Sequence, residues 1–314
     1  MMAVWLVLGA LLLVALLGLL LLIAACARRP VPDMTKPEVI AKWHRAEQTE
    51  EILAGARLMD SEAAEDIFLR SFDGLRLHGR VLQQPQAKAT LLLFHGYRSG
   101  WVSDFSIVLP YYYAQGYNLL VVDQRAHGQS EGSYITFGIR ERRDVQTWAE
   151  YAAMHFGAEH PLFLDGLSMG ATTVLLAAAL PLPRSVRGIL ADSGFTSPYA
   201  IMRSVLRAHC RFLPPQPLLA LLNVFTRLFA GFSLKEANTP DALRATQLPV
   251  FLLHGKADTF VPYSMSQEAY DACASQKQLL LVENAGHGYS YLVDRPRVQA
   301  AIAAFIGSHI TKEE

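Results

Sequence analysis

The sequence predicts an α/β chain built on a mostly parallel, doubly wound sheet with an inserted helical segment. Two observations carry that prediction. Six short runs, Thr90–Phe94, Asn118–Val122, Pro161–Leu164, Val186–Leu190, Pro249–Leu253 and Gln278–Val282, are predominantly apolar rather than alternating. Continuous apolarity marks strands covered on both faces. Helix-like segments lie between them, at Asp104–Gln115, Ile139–Phe156, Met169–Leu180, Ser264–Ala274 and Val298–His309. Strand–helix alternation winds helices onto both sides of a parallel sheet. A third observation concerns function. The chemically distinctive residues follow the C-terminal ends of these runs, where such sheets place their sites.

Taken in order, the chain opens on residues 2–27, which hold no charged side chain. A helix of roughly 24 residues is about 36 Å long and can span a bilayer. Residues 1–29 are therefore read as a single-pass membrane anchor, with Arg28 and Arg29 just beyond the apolar run. A cleaved signal peptide and a lipidated Cys26, following Ile23-Ala24-Ala25, are the rival readings. No basic residue precedes the run, which counts against both. Residues 30–64 carry prolines and then a charged, moderately amphipathic stretch from Glu38, as expected of a juxtamembrane helical linker without chemistry of its own. Residues 65–314 form the main domain.

That domain begins with two alternating runs, Ile67–Phe72 and Leu75–Leu82, joined by Asp73-Gly74, the turn expected of a hairpin. The alternation of strands and helices follows. It is broken between Ser197 and Leu248. There Tyr199–Phe212 and Leu218–Phe229 read as two apolar helices on either side of Pro214-Pro215-Gln216-Pro217. The segment 198–247 is expected to form a lid over the nucleophile.

Composition excludes several function classes. The 28 basic and 28 acidic residues balance, without a long like-charge run, so nucleic acid is not an expected partner. The three cysteines, Cys26, Cys210 and Cys273, are widely spaced and odd in number, which fits neither a zinc cluster nor a disulfide framework. No metal, organic cofactor or obligate protein partner is implied.

The chemistry centres on Gly166-Leu167-Ser168-Met169-Gly170, a G-x-S-x-G run between a strand and a helix. An abrupt strand-to-helix turn strains its apical residue, and flanking glycines remove the side chains that would clash. Ser168 is thus presented as a nucleophile above a helix N-terminus, which favours developing negative charge. A serine hydroxyl needs a base, and the base needs an orienting carboxylate. Downstream, His254-Gly255-Lys256-Ala257-Asp258 and Asn284-Ala285-Gly286-His287-Gly288 each follow a predicted strand. Asp258 and His287 are the expected acid and base, with Asp192 as the substitute acid. His95 is read as shaping the loop next to the oxyanion site, and His254 as a structural histidine. Asp123 is read as a turn-fixing carboxylate paired with Arg125 or with backbone N–H groups. His44, His155 and His309 are given no chemical role. The oxyanion of a tetrahedral intermediate needs two backbone donors, expected from Met169 and from Tyr97 in the loop after Phe94.

On these residues the chain resembles the α/β-hydrolase superfamily, near bacterial membrane-anchored relatives of the S9-type peptidases and carboxylesterases. The resemblance spans roughly residues 65–310. It rests on Phe94-His95-Gly96-Tyr97-Arg98-Ser99, the Asp123–Ser130 run, the Gly166–Gly170 run, Ala191-Asp192-Ser193-Gly194-Phe195-Thr196-Ser197, the His254–Asp258 run and Gly286-His287-Gly288. Many relatives have Glu where this chain has Leu167, a position outside the catalytic machinery. The resemblance implies acyl transfer to water through a serine acyl-enzyme. The expected activity is hydrolysis of carboxylic esters of a hydrophobic or acyl small molecule. A peptidase or acyltransferase using the same residues, and a non-catalytic binding module on the same fold, are the alternatives.

Overall fold

The computed structural model describes residues 1–209 and 214–310. Cys210 and Phe212, which the sequence reading placed in or beside the insertion, lie outside the described residues. The elements run α1 (Met2–Cys26), α2 (Pro37–Trp43), α3 (Thr49–Met59), β1 (Ala64–Arg70), β2 (Arg76–Leu82), β3 (Ala89–Phe94), α4 (Trp101–Phe105), α5 (Leu109–Ala114), β4 (Tyr117–Asp123), α6 (Glu141–Phe156), β5 (Leu162–Leu167), α7 (Met169–Ala177) and β6 (Val186–Asp192). They continue with α8 (Pro198–His209), α9 (Pro215–Phe225), α10 (Thr239–Ala245), β7 (Val250–Gly255), α11 (Ser264–Ala272), β8 (Lys277–Val282), α12 (Ser290–Val293) and α13 (Arg295–His309).

The eight strands form one sheet in the order β1-β2-β4-β3-β5-β6-β7-β8. β1 and β2 pair antiparallel across the Asp73-Gly74 turn, and β2 pairs antiparallel with β4. From β4 to β8 every pairing is parallel. Both faces are covered, as the apolar runs require. Trp148 of α6, Leu175 of α7 and Ala269 of α11 pack on one side. Tyr112 of α5, Phe305 and Val298 of α13 and Met59 of α3 pack on the other.

Among the helix boundaries that differ from the sequence reading, two are set by a proline. The segment expected as one helix over 104–115 is divided into α4 and α5, with Pro110 in the first turn of α5. Proline lacks the N–H that a helix interior needs but suits a first turn. Pro296 likewise starts α13 at Arg295, three residues before the expected start.

The segment 198–247 supplies α8 and α9, a π-helical turn at Thr226–Ala230 and α10. Its apolar faces join a core with Met169 and Leu176 of α7, Phe137, and Leu22 and Cys26 of α1. α1 has one end on this core and is otherwise exposed. Leu22 and Cys26 are fully buried, whereas most of the helix before them faces outward. α1 is the one helix among the described residues that is long and apolar enough to cross a membrane.

Close packing at the strand–helix turn fixes the rest of the architecture. A Cβ on Gly170 would overlap the Phe94 carbonyl, and one on Gly166 would overlap the backbone of Gly170. Only glycine allows β3, β5 and α7 to meet this closely. The turn therefore projects Ser168 at the C-terminal edge of the sheet.

Candidate active site

Ser168 sits at the apex of the β5–α7 turn with φ 57° and ψ −112°, a strained conformation for a residue with a side chain. Its N–H is held by the Asp192 carbonyl at 2.8 Å, which ties the turn to β6. Its Oγ lies 2.8 Å from His287 Nε2. His287 Nδ1 lies 2.7 Å from Asp258 Oδ2. With the proton on Nδ1 donated to the carboxylate, Nε2 is left to accept the serine hydroxyl. The three side chains expected to converge are thus one hydrogen-bonded chain, assembled from loops after β5, β7 and β8.

Asp258 is firmly seated. Its Oδ1 accepts the N–H groups of Phe260 at 2.9 Å and Val261 at 2.8 Å. Its Oδ2 also lies 3.1 Å from His254 Nε2, and His254 in turn reaches the Val261 carbonyl at 2.9 Å and Ser266 Oγ at 2.7 Å. Burial alone would raise this acid. Hydrogen bonds from His254 and His287 overcome that effect and hold Asp258 well below the usual carboxylate range. It therefore stays ionised beside the imidazole. His254 has the structural place expected of it. Asp192, the substitute acid, bonds to Ser193 Oγ at 2.8 Å instead of to the His287 ring.

The Tyr97 and Met169 N–H groups have no protein acceptor among the described residues, as oxyanion donors require. The donors on either side of Tyr97 are occupied. Gly96 N–H goes to Asp104 Oδ2 at 2.6 Å, and Arg98 N–H to His127 Nε2 at 3.0 Å. Gly96 itself lies against Ser168. His95 braces the loop from below, with Nδ1 2.8 Å from the Gly96 carbonyl and Nε2 accepting the Gln124 N–H at 3.1 Å.

Sequence reasoning missed several of these supports. Asp104 and His127 gave no local signal, because their partners lie in other loops. Asp123 fixes its turn through a backbone N–H, one of the two partners expected, accepting from Gln129 at 2.8 Å; the contact with His78 Nδ1 at 2.8 Å was not expected. Arg125 instead bonds Asp144 at 2.6 Å and Asp73 at 2.9 Å, tying the β1–β2 turn to α6.

A cavity of about 320 Å³ opens beside Ser168 and His287. Its walls include Phe105, Val108, Tyr291 and Ile302, with Tyr112, Asp165 and Asp192 among the polar lining. Among the described residues, none of 198–247 lines it; the inserted helices flank α7 and α1. The linker does contribute. His44, at the end of α2, lines the cavity and holds Ser103 Oγ at 3.0 Å through Nε2.

Burial pushes Asp165 up to about 7, against a hydrogen bond from Tyr112 and with help from the neighbouring Asp192 charge. Tyr112 Oη donates to Asp165 Oδ2 at 2.8 Å. In the unfolded chain this acid ionises near 3.8, whereas the folded protein keeps the proton to about 7. Across that window the folded state binds the extra proton, so this group lowers stability as pH rises and adds no further slope above about 7. Asp165→Asn removes the titration but keeps the Tyr112 acceptor. It is expected to flatten the decline in stability between about pH 5 and about pH 8 by about 2–3 kcal/mol. Thermal midpoints of wild type and variant in detergent micelles at the two pH values give the test. Identical slopes would contradict it.

With this geometry in view, comparison with known proteins becomes informative. Residues 85–243 match the family model described as serine aminopeptidase, S33. The YqkD protein of Bacillus subtilis is 26% identical over 233 residues, covering 74% of this chain and 76% of its own. Among solved structures, the Pyrococcus furiosus esterase Pf2001 superposes with a TM-score of 0.65 at 22% identity, over 79% of this chain and 92% of its own. A Mycobacterium tuberculosis puromycin-hydrolyzing peptidase superposes with a TM-score of 0.62 at 17% identity, over 81% of this chain and 41% of its own.

Proposed function

Because this chain belongs to the serine aminopeptidase S33 family of α/β hydrolases, we propose that it is a membrane-anchored serine hydrolase that cleaves carboxylic esters of hydrophobic acyl groups. The observation that carries the proposal is the His287 ring, 2.8 Å from Ser168 Oγ on one side and 2.7 Å from Asp258 on the other.

In this reading Ser168 Oγ attacks the ester carbonyl carbon as His287 Nε2 takes its proton. Asp258 fixes the ring tautomer and stabilises the imidazolium. The carbonyl oxygen gains a full negative charge and is bound by the Tyr97 and Met169 N–H groups, with the α7 N-terminus beneath adding its dipole. Collapse expels the alcohol, which receives the proton from His287 and leaves an acyl-enzyme. Water, deprotonated by the same ring, then releases the acid and restores the hydroxyl. All proton movement runs through His287.

The predominantly apolar cavity walls support a hydrophobic acyl group, which gains about 0.8 kcal/mol per buried CH₂. The apolar length of α1 supports anchorage, with residues 65–314 carrying the catalysis. The esterase Pf2001 is a neighbour in fold that points the same way.

The second reading is a peptidase, favoured by the description of the family and by the puromycin-hydrolyzing neighbour. A panel of p-nitrophenyl esters and matched anilides of graded acyl length, offered to the full-length protein in micelles, separates the two. Esters are expected to be preferred, with kcat/KM rising by about fifteenfold for each two added CH₂ groups until the cavity is full. Anilides cleaved faster than esters would transfer the assignment to the peptidase.

A further inference from the structure

A helix end leaves four carbonyls without intrahelical partners. At the end of α1 all four, from Ala24 to Ala27, are accounted for, and three are taken by one loop. The Cys26 carbonyl accepts the Ile135 N–H at 2.7 Å, and the Ala27 carbonyl accepts from Arg98 Nη2 at 3.4 Å. The Ala24 carbonyl accepts from Arg98 Nη2 at 2.7 Å. The Ala25 carbonyl accepts from Tyr97 Oη at 2.7 Å. Tyr97 and Arg98 belong to the loop after β3; Tyr97 lines the cavity, and its N–H has no protein acceptor among the described residues.

We infer that the last turn of α1 is a working part of the active site, holding the Gly96–Arg98 loop, and so the Tyr97 N–H, in the position that the reaction requires. This rests on the serine-hydrolase reading and goes beyond it, because it gives the N-terminal helix a role other than attachment.

The surrounding contacts make the turn rigid enough for that role. Cys26 and Leu22 are fully buried. Ala27 pairs with Tyr134 in an antiparallel bridge, and Arg28 clamps the Ser130 and Gly128 carbonyls at 2.6 Å each. Gly18 lies against Phe225 of α9, where a Cβ would overlap the ring. On the loop side, the Arg98 guanidinium stacks 4.8 Å over the Tyr97 ring, and that ring stacks on Phe137 at 5.2 Å. Arg98 has φ 52°, a strained conformation that its surroundings must hold, so the loop relaxes if the side-chain anchor is lost. A cation at a helix C-terminus also meets the favourable end of the dipole. Removing α1 by processing would strip both side chains of their acceptors, so the functional protein keeps this helix.

The test is steady-state kinetics on a soluble p-nitrophenyl ester with full-length protein in detergent micelles. Arg98→Met and Tyr97→Phe each remove one anchor and leave the Tyr97 N–H in the chain. Each is expected to lower kcat about tenfold to a hundredfold, with KM within about twofold of wild type, because a donor displaced by a fraction of an ångström fails the transition state more than the ground state. Arg98→Lys, which keeps the charge and a donor, is expected to recover part of the loss. Thermal midpoints within a few degrees of wild type show that the fold is intact. Folded Arg98→Met and Tyr97→Phe with wild-type kcat, or a loss confined to KM, would overturn the inference and leave the serine-hydrolase reading standing. A wild type with neither ester hydrolysis nor fluorophosphonate labelling would instead remove both.

Discussion

Replacing Ser168 with alanine is expected to lower kcat on a short-chain chromogenic ester by about 10⁴–10⁶, with little change in KM. The size follows from the chemistry that is lost. Without Oγ there is no covalent intermediate, and the only remaining route is direct attack by water in a site built for another geometry. The remaining oxyanion donors and substrate binding sustain a small residual rate. KM should hold, since deleting the hydroxyl opens no contact along the apolar walls. Fluorophosphonate labelling should vanish with the hydroxyl, because only an activated serine reacts. Ser193, at the end of β6, is no substitute, because its Oγ is committed to Asp192 at 2.8 Å. A Ser168→Ala protein that keeps a hundredth of the wild-type rate would remove the nucleophile assignment.

Much of this site was legible in the chain because its chemistry is local in sequence even where it is distant in space. The Gly166–Gly170 run announces a strand-to-helix turn, and the two glycines are required by backbone approaches that only they permit. His287 and Asp258 each follow an apolar run, and a parallel sheet delivers the ends of such runs to one edge. The same logic located the strands and marked the insertion. What stayed hidden depends on which surfaces meet. The linker offered His44 as a charged-segment histidine. Its place in the cavity wall is set by packing of α2 beside α4, which no periodicity encodes. The insertion read correctly as two apolar helices, but apolarity does not say what it covers. Those helices turn towards α7 and α1. Arg98 carries no local signal of its role, because its partner is a carbonyl of a helix end some seventy residues earlier.

The carboxylate that supports His287 can be identified by a pair of isosteric changes. Asp258→Asn is expected to lower kcat by about 10⁴, equivalent to about 5.5 kcal/mol of transition-state stabilisation. The direction of the amide is forced. Asp258 Oδ1 accepts two backbone N–H groups, from Phe260 and Val261, so an asparagine must keep its oxygen there. Its NH₂ then takes the place of Oδ2 and faces His287 Nδ1 at about the 2.7 Å now held by the carboxylate. Facing a donor, Nδ1 must become the acceptor. The ring proton moves to Nε2 and points at Ser168 Oγ, which leaves the hydroxyl without a base. The ground-state geometry survives while the tautomer is wrong, so kcat falls and KM does not. Asp192→Asn changes a carboxylate that bonds Ser193 and leaves the ring alone, so kcat should stay within about an order of magnitude of wild type. The reverse pattern, a severe loss in Asp192→Asn and a mild one in Asp258→Asn, would give the supporting role to Asp192 and would mean that the ring turns away from Asp258 during turnover.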